Sequence, residues 1–324
     1  MRPRLIMAFA IATVVLGGML LVPAAYARLA NPGAPSSSDE TPAGSTPAAP
    51  PPPTLAAAPV TMSGVDGFFS WALLDRKTGK ISGARNMSAT NSTESMIKVW
   101  LASDYLRQFG PKQPPENGLR MASTAIRNSN DDAANFLYAR AGGEVTLERL
   151  VKMCKLSDTH SVSPGGGRVW WSYTAMSARD AVRMGECIKD GTAAGPKWTK
   201  WVLTEMSKVQ GSTAKKDQGL RQGGGRWGII DGLPKEITAQ GPVSIKNGWT
   251  LINADGKWHL NCLAITDKWV LSVLTRYSGR KGLDFGAGVC ASVATQLVTV
   301  QPGAALKIPQ PISTKSGDND TETT

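Results

Sequence analysis

Residues 95–101 have the sequence Ser-Met-Ile-Lys-Val-Trp-Leu, which places Ser95 and Lys98 one helical turn apart. Apolar residues then recur at helical spacing as far as Phe109, which predicts an amphipathic helix. If Ser95 opens that helix, its side chain and that of Lys98 lie on one face. Free N–H groups at a helix start favour developing negative charge, and a partly desolvated Lys98 can take the proton of Ser95. The pattern therefore predicts a serine nucleophile with a lysine as its proton acceptor.

The same spacing occurs again at Ser212-Thr213-Ala214-Lys215, but the surroundings of this copy differ. Glycine and charged residues flank it, and no apolar periodicity accompanies it, which is typical of a loop. We therefore assign the nucleophile to Ser95.

Two further polar segments follow Ser95 in the chain. The first, Ser129-Asn130-Asp131, lies between two helix-like stretches. The second, Lys246-Asn247-Gly248, lies in a strand-like stretch that ends at Trp249 and Thr250. A literal Lys-Thr-Gly at residues 77–79 precedes Ser95 and lies in the turn predicted between the strand at residues 68–74 and a second strand from Ile81, so we do not assign it to the site.

In this order the three segments resemble the S-x-x-K, S-x-N and K-T-G elements of the serine β-lactamase and penicillin-binding protein superfamily. The resemblance covers about residues 63–308. The segments 168–171 (Arg-Val-Trp-Trp) and 226–233 (Arg-Trp-Gly-Ile-Ile-Asp-Gly-Leu) and the K-x-G-W ending are similar to β-lactamase-related exported proteins and lipoproteins of actinobacteria.

The coarse pattern of strands, then helices, then strands and a helix predicts an α+β fold. The predicted strands cover residues 68–74, a second strand from Ile81, and residues 243–250, 258–266 and 269–277, while a last helix covers 283–297. The resemblance implies a β-lactamase/transpeptidase-like fold, with an antiparallel sheet flanked by helices and a reduced all-helical subdomain.

The resemblance also implies a role for each matching residue. Ser95 would be acylated with Lys98 as base, Ser129 would relay a proton to the leaving group, and Lys246 would support Ser129. The backbone N–H groups of Ser95 and Trp249 would form the oxyanion hole. The implied substrate-binding residues are Asp131, Asn247 and Gly248. Asn135 matches a helix-capping asparagine and is expected to be structural.

The chain departs from the superfamily pattern at three places. Asp131 stands where the family has Asn, and an ionised carboxylate only accepts hydrogen bonds, so Asp131 would pair with a cationic substrate group or with Lys98. Asn247 replaces Thr. Residues 156–177 contain Asp158 but no Glu, whereas class A β-lactamases activate the deacylating water with a loop Glu. We therefore expect a serine hydrolase with slow deacylation and not an efficient class A penicillinase; the alternative is a catalytically inactive module that binds envelope peptides or a partner protein.

The ends of the chain have compositions unlike the body. Residues 1–27 combine Arg2 and Arg4 with an apolar run and a small-x-small ending, as expected of a signal peptide or a retained membrane anchor. Residues 28–62 are rich in Pro and Ala and predict an extended linker, residues 63–308 the folded domain, and residues 309–324 a disordered tail. The protein is thus expected to be extracytoplasmic, secreted or membrane-anchored, and to touch a membrane only through its N-terminal segment.

Charge and cysteine content narrow the expected partners. The expected partner is a peptide-like or β-lactam small molecule, and the net charge of +11 also favours anionic envelope polymers or lipids. The sequence has no run of Lys and Arg that would indicate nucleic-acid binding. The cysteines are expected to pair sequentially, Cys154 with Cys187 and Cys262 with Cys290, the alternative being four buried thiols. No metal or organic cofactor is suggested, and the only two histidines, His160 and His259, complete no Ser-His-Asp set.

Overall fold

The apolar stretches predicted as strands form a six-stranded antiparallel sheet in the computed structural model, which describes residues 52–299. The strands of the described residues are β1 (Phe68–Asp75), β2 (Ile81–Gly83), β3 (Thr90–Ser92), β4 (Ala175–Ser177), β5 (Ser244–Ile245), β6 (Gly248–Ile252), β7 (Lys257–Ile265) and β8 (Trp269–Ser278). The α-helices are α1 (Lys98–Arg107), α2 (Glu116–Arg127), α3 (Asp131–Arg140), α4 (Glu144–Met153), α5 (Ala178–Lys189), α6 (Pro196–Ser207), α7 (Lys235–Thr238) and α8 (Leu283–Gln296).

The strand order of the main sheet is β2-β1-β8-β7-β5, and β6 also pairs with β7. The stretch predicted as one strand over residues 243–250 is interrupted at Lys246 and Asn247. Its two parts nevertheless keep one register, because Ser244 pairs with Ile265 and Gly248 with Asn261. The strands β3 and β4 form a separate two-stranded sheet.

Successive side chains of a strand point to opposite faces, and each face of the sheet packs against one helix. On one face, Gly185 of α5 lies against Leu263 and Val270. On the other, Gly286 of α8 lies against Leu260 and Tyr277. The predicted arrangement of a sheet flanked by helices is confirmed.

The cysteines of the described residues form two disulfides with the predicted pairing. Cys154, at the end of α4, bonds Cys187 of α5, with a Cα–Cα distance of 5.4 Å. Cys262 of β7 bonds Cys290 of α8, with a Cα–Cα distance of 6.4 Å. The second bridge fixes α8 to the strand that pairs with β6.

The helical region is built around α1, which packs against α2, α3, α4 and α6. Residues 98–106 of α1 are all buried, as expected for a central helix surrounded by others. Inside this region the buried carboxylate of Asp104 accepts from the Thr146 hydroxyl at 2.6 Å and from Arg107 at 2.6 Å. The Lys98 end of α1 faces the sheet, and this end carries the candidate site.

Residues that composition assigned to the linker pack on the folded body. Leu55 is only 5% exposed and forms a β-bridge with Val298, and the Thr61 N–H donates to Gln296 at 2.9 Å. The folded part thus begins before residue 63, because a few apolar residues between prolines find a partner at the end of α8. The predictions for residues 1–27, for the linker up to residue 51, for the domain end at 300–308 and for the tail lie outside the described residues. Within residues 52–299, no helix is long and apolar enough to cross a membrane.

Candidate active site

Ser95 lies in a 3₁₀ turn, Glu94–Ile97, that runs directly into α1. This turn is pressed against the start of β6. A Cβ placed on Gly248 would lie 2.4 Å from the Met96 nitrogen and 2.8 Å from the Ser95 nitrogen, so only glycine fits. The glycine of the K-x-G segment therefore lets β6 approach the backbone of Ser95, and Trp249 is the next residue of that strand.

Lys98 is fully buried beneath Ser95. Its Nζ donates to the Ser129 carbonyl oxygen at 2.5 Å and to Asp131 Oδ1 at 2.5 Å, and it lies 5.2 Å from the ring centroid of Trp171. Loss of hydration lowers the pKa of Lys98 below its usual range, although the negative charge of Asp131 opposes this shift. Among the hydrogen bonds of the described residues, Lys98 makes none to Ser95; of the two partners considered for Asp131, the structure shows Lys98.

Ser129 connects the two lysines. Its backbone has φ +53°, a left-handed conformation that directs the carbonyl to Lys98 and the hydroxyl to Lys246. Lys246 Nζ donates to Ser129 Oγ at 2.9 Å and to the Asn247 carbonyl at 2.9 Å. Burial, together with the nearby charge of Lys98, lowers the pKa of Lys246 well below its usual range. Ser129 is therefore placed between two lysines that both favour their neutral forms more than free lysine does.

The start of α3 positions Asp131 next to Lys98. The Asn130 side chain caps the helix by accepting from the Ala133 N–H at 2.8 Å. One turn later, Asn135 Oδ1 accepts from Trp171 Nε1 at 2.9 Å, which holds the Trp171 ring beside Lys98. Asn135 thus has the structural role expected for it, although through its contact with Trp171 and not as a cap.

Asn247 is buried, and both hydrogens of its Nδ2 are donated inside the protein. They bond the carbonyl oxygens of Gly225 at 2.9 Å and Trp227 at 2.8 Å. A substrate contact by Asn247, which the resemblance implies, would therefore have only its Oδ1 acceptor available. Trp249 packs edge-to-face on Trp227 with ring centroids 5.1 Å apart.

A loop formed by residues 218–223 lies between Trp249, at the start of β6, and the Ser129–Asp131 segment. The Asp131 N–H donates to the Arg221 carbonyl at 2.8 Å, and the Gly223 N–H donates to the Asn128 carbonyl at 3.0 Å. Trp249 Nε1 donates to Gln218 in the same loop at 3.1 Å. No local sequence pattern indicates these contacts.

The segment where class A enzymes have their loop Glu contains a tryptophan beside the lysine. Trp171 is 3% exposed, whereas Trp170 is 43% exposed. Asp158, the only acidic residue of the segment 156–177, accepts hydrogen bonds from Ser177 Oγ at 2.7 Å and from Arg179 at 2.7 Å. Its carboxylate is therefore committed to a structural ion pair.

A chain of polar groups beneath Ser95 was not found by sequence reasoning. It comprises Glu94, Ser92 of β3, His259 of β7 and Asp255. His259 and Ser92 lie in different sheets and meet only through their side chains, a contact that leaves no local pattern in the sequence. The position of a glutamate directly before the nucleophile was the one available signal.

The sequence matches no protein-family model and no curated protein. Among solved structures, the chain is similar to the β-lactamase of Desulfarculus baarsii DSM 2075, with 14% identity over 71% of this chain and 90% of that chain and a TM-score of 0.51. It is also similar to a class A β-lactamase from Bacteroides cellulosilyticus DSM 14838, with 13% identity over 72% and 91% of the two chains and a TM-score of 0.53. A variant of PBP-A, solved as an acyl-enzyme complex with penicillin G, has 14% identity over 71% and 88% and a TM-score of 0.52.

At sequence identities this low, structural similarity establishes the fold alone, and the roles of the catalytic residues need a test of their own. The finer similarity to exported proteins of actinobacteria stays a prediction. The described residues contribute a sheet, its flanking helices and a helical region to the similarity, which covers about seven tenths of this chain. The protein has the β-lactamase/transpeptidase-like fold of the serine β-lactamase and penicillin-binding protein superfamily.

Proposed function

We propose that the protein is an exported serine hydrolase or acyltransferase that acts on peptide-like cell-wall substrates or β-lactams through an acyl-Ser95 intermediate. The observation that carries this proposal is the hydrogen-bonded set of Lys98, Ser129 and Lys246 beside Ser95. The set gathers next to Ser95 two buried lysines and a hydroxyl, groups that can accept and deliver protons, and a purely structural helix start would not need two buried lysines, whose burial is costly.

In the proposed reaction, neutral Lys98 accepts the Ser95 proton as Oγ attacks the substrate carbonyl. The tetrahedral oxyanion is stabilised by the N–H groups of Ser95 and Trp249, each such donor contributing about 3 kcal/mol. The carbon–nitrogen bond then breaks, the leaving nitrogen takes a proton from the Ser129 hydroxyl, and Ser129 regains one from Lys98 after Lys98 Nζ moves from the Ser129 carbonyl to its hydroxyl. Lys246, bonded to Ser129 Oγ, holds that hydroxyl in place.

The Asp131 carboxylate slows this reaction at neutral pH, because it stabilises the charged form of Lys98. Water attack on the acyl-enzyme would be slower still. The acidic residue of the segment 156–177 is paired with Arg179, and Trp171 lies beside Lys98. A long-lived acyl-enzyme is the expected product.

The proposed location and partners rest on the signal peptide or membrane anchor expected at residues 1–27 and on the positive net charge. A basic exported protein of net charge +11 would be held near anionic wall polymers or lipid headgroups, which concentrates it where cell-wall peptides are found.

A second candidate function is a module that binds envelope peptides without turnover. Its support is the Lys98–Asp131 ion pair, which takes the base away from Ser95, together with the internal use of the Asn247 donors.

Intact-protein mass spectrometry of the purified full-length protein separates the two candidates. The protein is incubated with a fluorescent penicillin or a depsipeptide, alongside S95A. Acylation predicts a covalent adduct in the wild type that S95A lacks. A binding module predicts saturable binding that survives S95A and no adduct, a result that would contradict the proposed function.

A further inference from the structure

The residue directly before the candidate nucleophile is a glutamate whose side chain is turned into the protein. Glu94 is 5% exposed and has φ +49°, a strained conformation for a residue with a side chain. Such strain persists only where surrounding contacts enforce it. The contacts of the Glu94 carboxyl therefore bear on how the nucleophile is held.

The carboxyl begins a chain of four polar groups that reaches the surface. Glu94 Oε1 and Ser92 Oγ are 2.7 Å apart, Ser92 Oγ and His259 Nδ1 are 2.7 Å apart, and His259 Nε2 and Asp255 Oδ2 are 2.8 Å apart. The Glu94 carboxyl also lies beside the hydroxyl of Thr250, which donates to the Trp249 carbonyl at 2.7 Å. Glu94 thus contacts both the strand before Ser95 and the strand that carries the second oxyanion-hole N–H.

Although burial acts against it, the pKa of Asp255 lies below its usual range, held there by its hydrogen bonds with His259 and Lys257, and with Asp255 ionised only two arrangements of the hydrogens fill all three links. A hydroxyl has a single hydrogen, and a neutral imidazole has one N–H and one acceptor nitrogen. Either Glu94 is ionised and His259 carries both ring protons, or Glu94 is protonated and donates to Ser92, Ser92 donates to Nδ1, and Nε2–H donates to Asp255. The two states contain the same number of protons.

The surroundings favour the second state. Burial raises the pKa of Glu94 and Asp131 adds to this shift, while the hydrogen bonds with Ser92 and Thr250 and the charge of Lys98 oppose it. Burial also lowers the pKa of His259, with the Asp255 carboxylate opposing it and Arg276 and Lys257 adding to the shift. A neutral Glu94 and a neutral His259 therefore satisfy every link without a buried charge.

We propose that Glu94 is a positioning residue for acyl transfer at Ser95: its neutral carboxyl donates its one hydrogen to Ser92 and lies against Thr250, and in this way it holds β3 and β6 in place beside Ser95, and with them the two oxyanion-hole N–H groups. This inference rests on the proposed function of Ser95. Misplacing a reacting group by about 1 Å costs about 100-fold in rate, so a side chain that ties both segments together controls the rate without touching the substrate.

The test uses E94Q, which keeps a donor but cannot ionise, and E94A, which removes the link. The control is E148Q, a change at an exposed glutamate of α4. The acylation rate of each full-length protein by a fluorescent penicillin is measured from about pH 5 to pH 9, a span that covers histidine and raised carboxyl titrations. Thermal unfolding reports whether each variant folds.

We expect E94A to be slower by about 10-fold or more, and E94Q to stay within about twofold of the wild type at low pH. Because ionised Glu94 cannot donate to Ser92, the wild type should lose activity on the alkaline side, relative to E94Q, and E148Q should follow the wild type. An E94A rate equal to that of the wild type, or an E94Q rate as low as that of E94A in a folded protein, would overturn the positioning role.

A second measurement, independent of acylation, determines the protonation state of His259 within the chain of four polar groups. In the H160Q background His259 is the only histidine, so nitrogen NMR of its imidazole is unambiguous. The expected signal at neutral pH is a neutral ring with its proton on Nε2, whereas a doubly protonated ring would assign the charge to Glu94 and overturn the neutral-donor role. If none of the acyl donors labels the wild type, the proposed function is overturned. The NMR result does not depend on acylation, so the two failures can be told apart.

Discussion

Replacing Asp131 by Asn removes the negative charge that holds Lys98 in its protonated form. The two atoms are 2.5 Å apart, with Lys98 fully buried and the Asp131 side chain 43% exposed. At this distance two unit charges attract with about 1.7 kcal/mol in a water-like dielectric and about 7 kcal/mol at an effective dielectric constant of 20. Because half of Asp131 faces water and Asn keeps an acceptor for Lys98, we take a value near the lower limit, about 2 kcal/mol.

A loss of about 2 kcal/mol for the ammonium form corresponds to about 30-fold more neutral Lys98 wherever lysine is still mostly charged. Loss of Asp131 moves the pKa of Lys98 further in the direction that burial already imposes, so more base is available at pH 7. We expect D131N to be acylated about 30-fold faster than the wild type at this pH, with the difference shrinking as the pH rises.

The assay is the initial rate of penicillin adduct formation by intact-protein mass spectrometry, measured across pH. D132N is the matched control, because the neighbouring Asp132 pairs with Arg221 at the surface, where both side chains are more than 60% exposed. Folded D131N with an unchanged or lower acylation rate, or an equal gain in D132N, would refute the idea that Asp131 restrains the base.

Three further predictions concern the parts that support the site. G248A places a Cβ 2.4 Å from the Met96 nitrogen and should slow acylation about 100-fold while costing about 1–3 kcal/mol of stability, measured by adduct formation and urea unfolding; near-normal acylation would contradict the close approach. The raised pKa of Glu94 means that stability is fully present below its ordinary value of 4.5 and is lost as pH rises towards the folded-state value, so E94Q should gain about 1.4 kcal/mol per pH unit on the wild type in that interval; parallel stability curves would show that Glu94 is ionised. Replacing Cys262 and Cys290 by Ser opens a bridge with a sequence separation of 28 and should cost about 3–4 kcal/mol in unfolding free energy, against no change if these were free thiols.

The fold was predictable wherever periodicity and order carried the signal. The strands predicted over residues 68–74, 258–266 and 269–277 agree with β1, β7 and β8 to within one residue at each end, and α8 ends one residue before its prediction. The order of the three polar segments sufficed to predict that Lys98, Ser129 and Lys246 meet. These features depend on local patterns and on a resemblance that spans the whole body.

What sequence reasoning could not predict depends on distant contacts. The Lys98 side chain turns towards Asp131 and not Ser95 because α3 begins beside it. No local sequence pattern reveals that contact. Asn247 donates both Nδ2 hydrogens to a loop about 20 residues away, and Glu94 reaches His259 through the side chain of Ser92, which lies in the other sheet. Leu55 looked like linker because composition averages over a window, whereas one buried side chain is enough to attach a segment.

The most direct test of the central claim is peptide mapping of the full-length protein after incubation with penicillin. Our account predicts one acylated peptide, with the added mass on Ser95, and its complete loss in S95A. An adduct on another residue, or one that persists in S95A, would contradict acyl transfer at Ser95. No adduct from penicillin or depsipeptide, despite saturable binding, would contradict it as well and would make the fold a binding module.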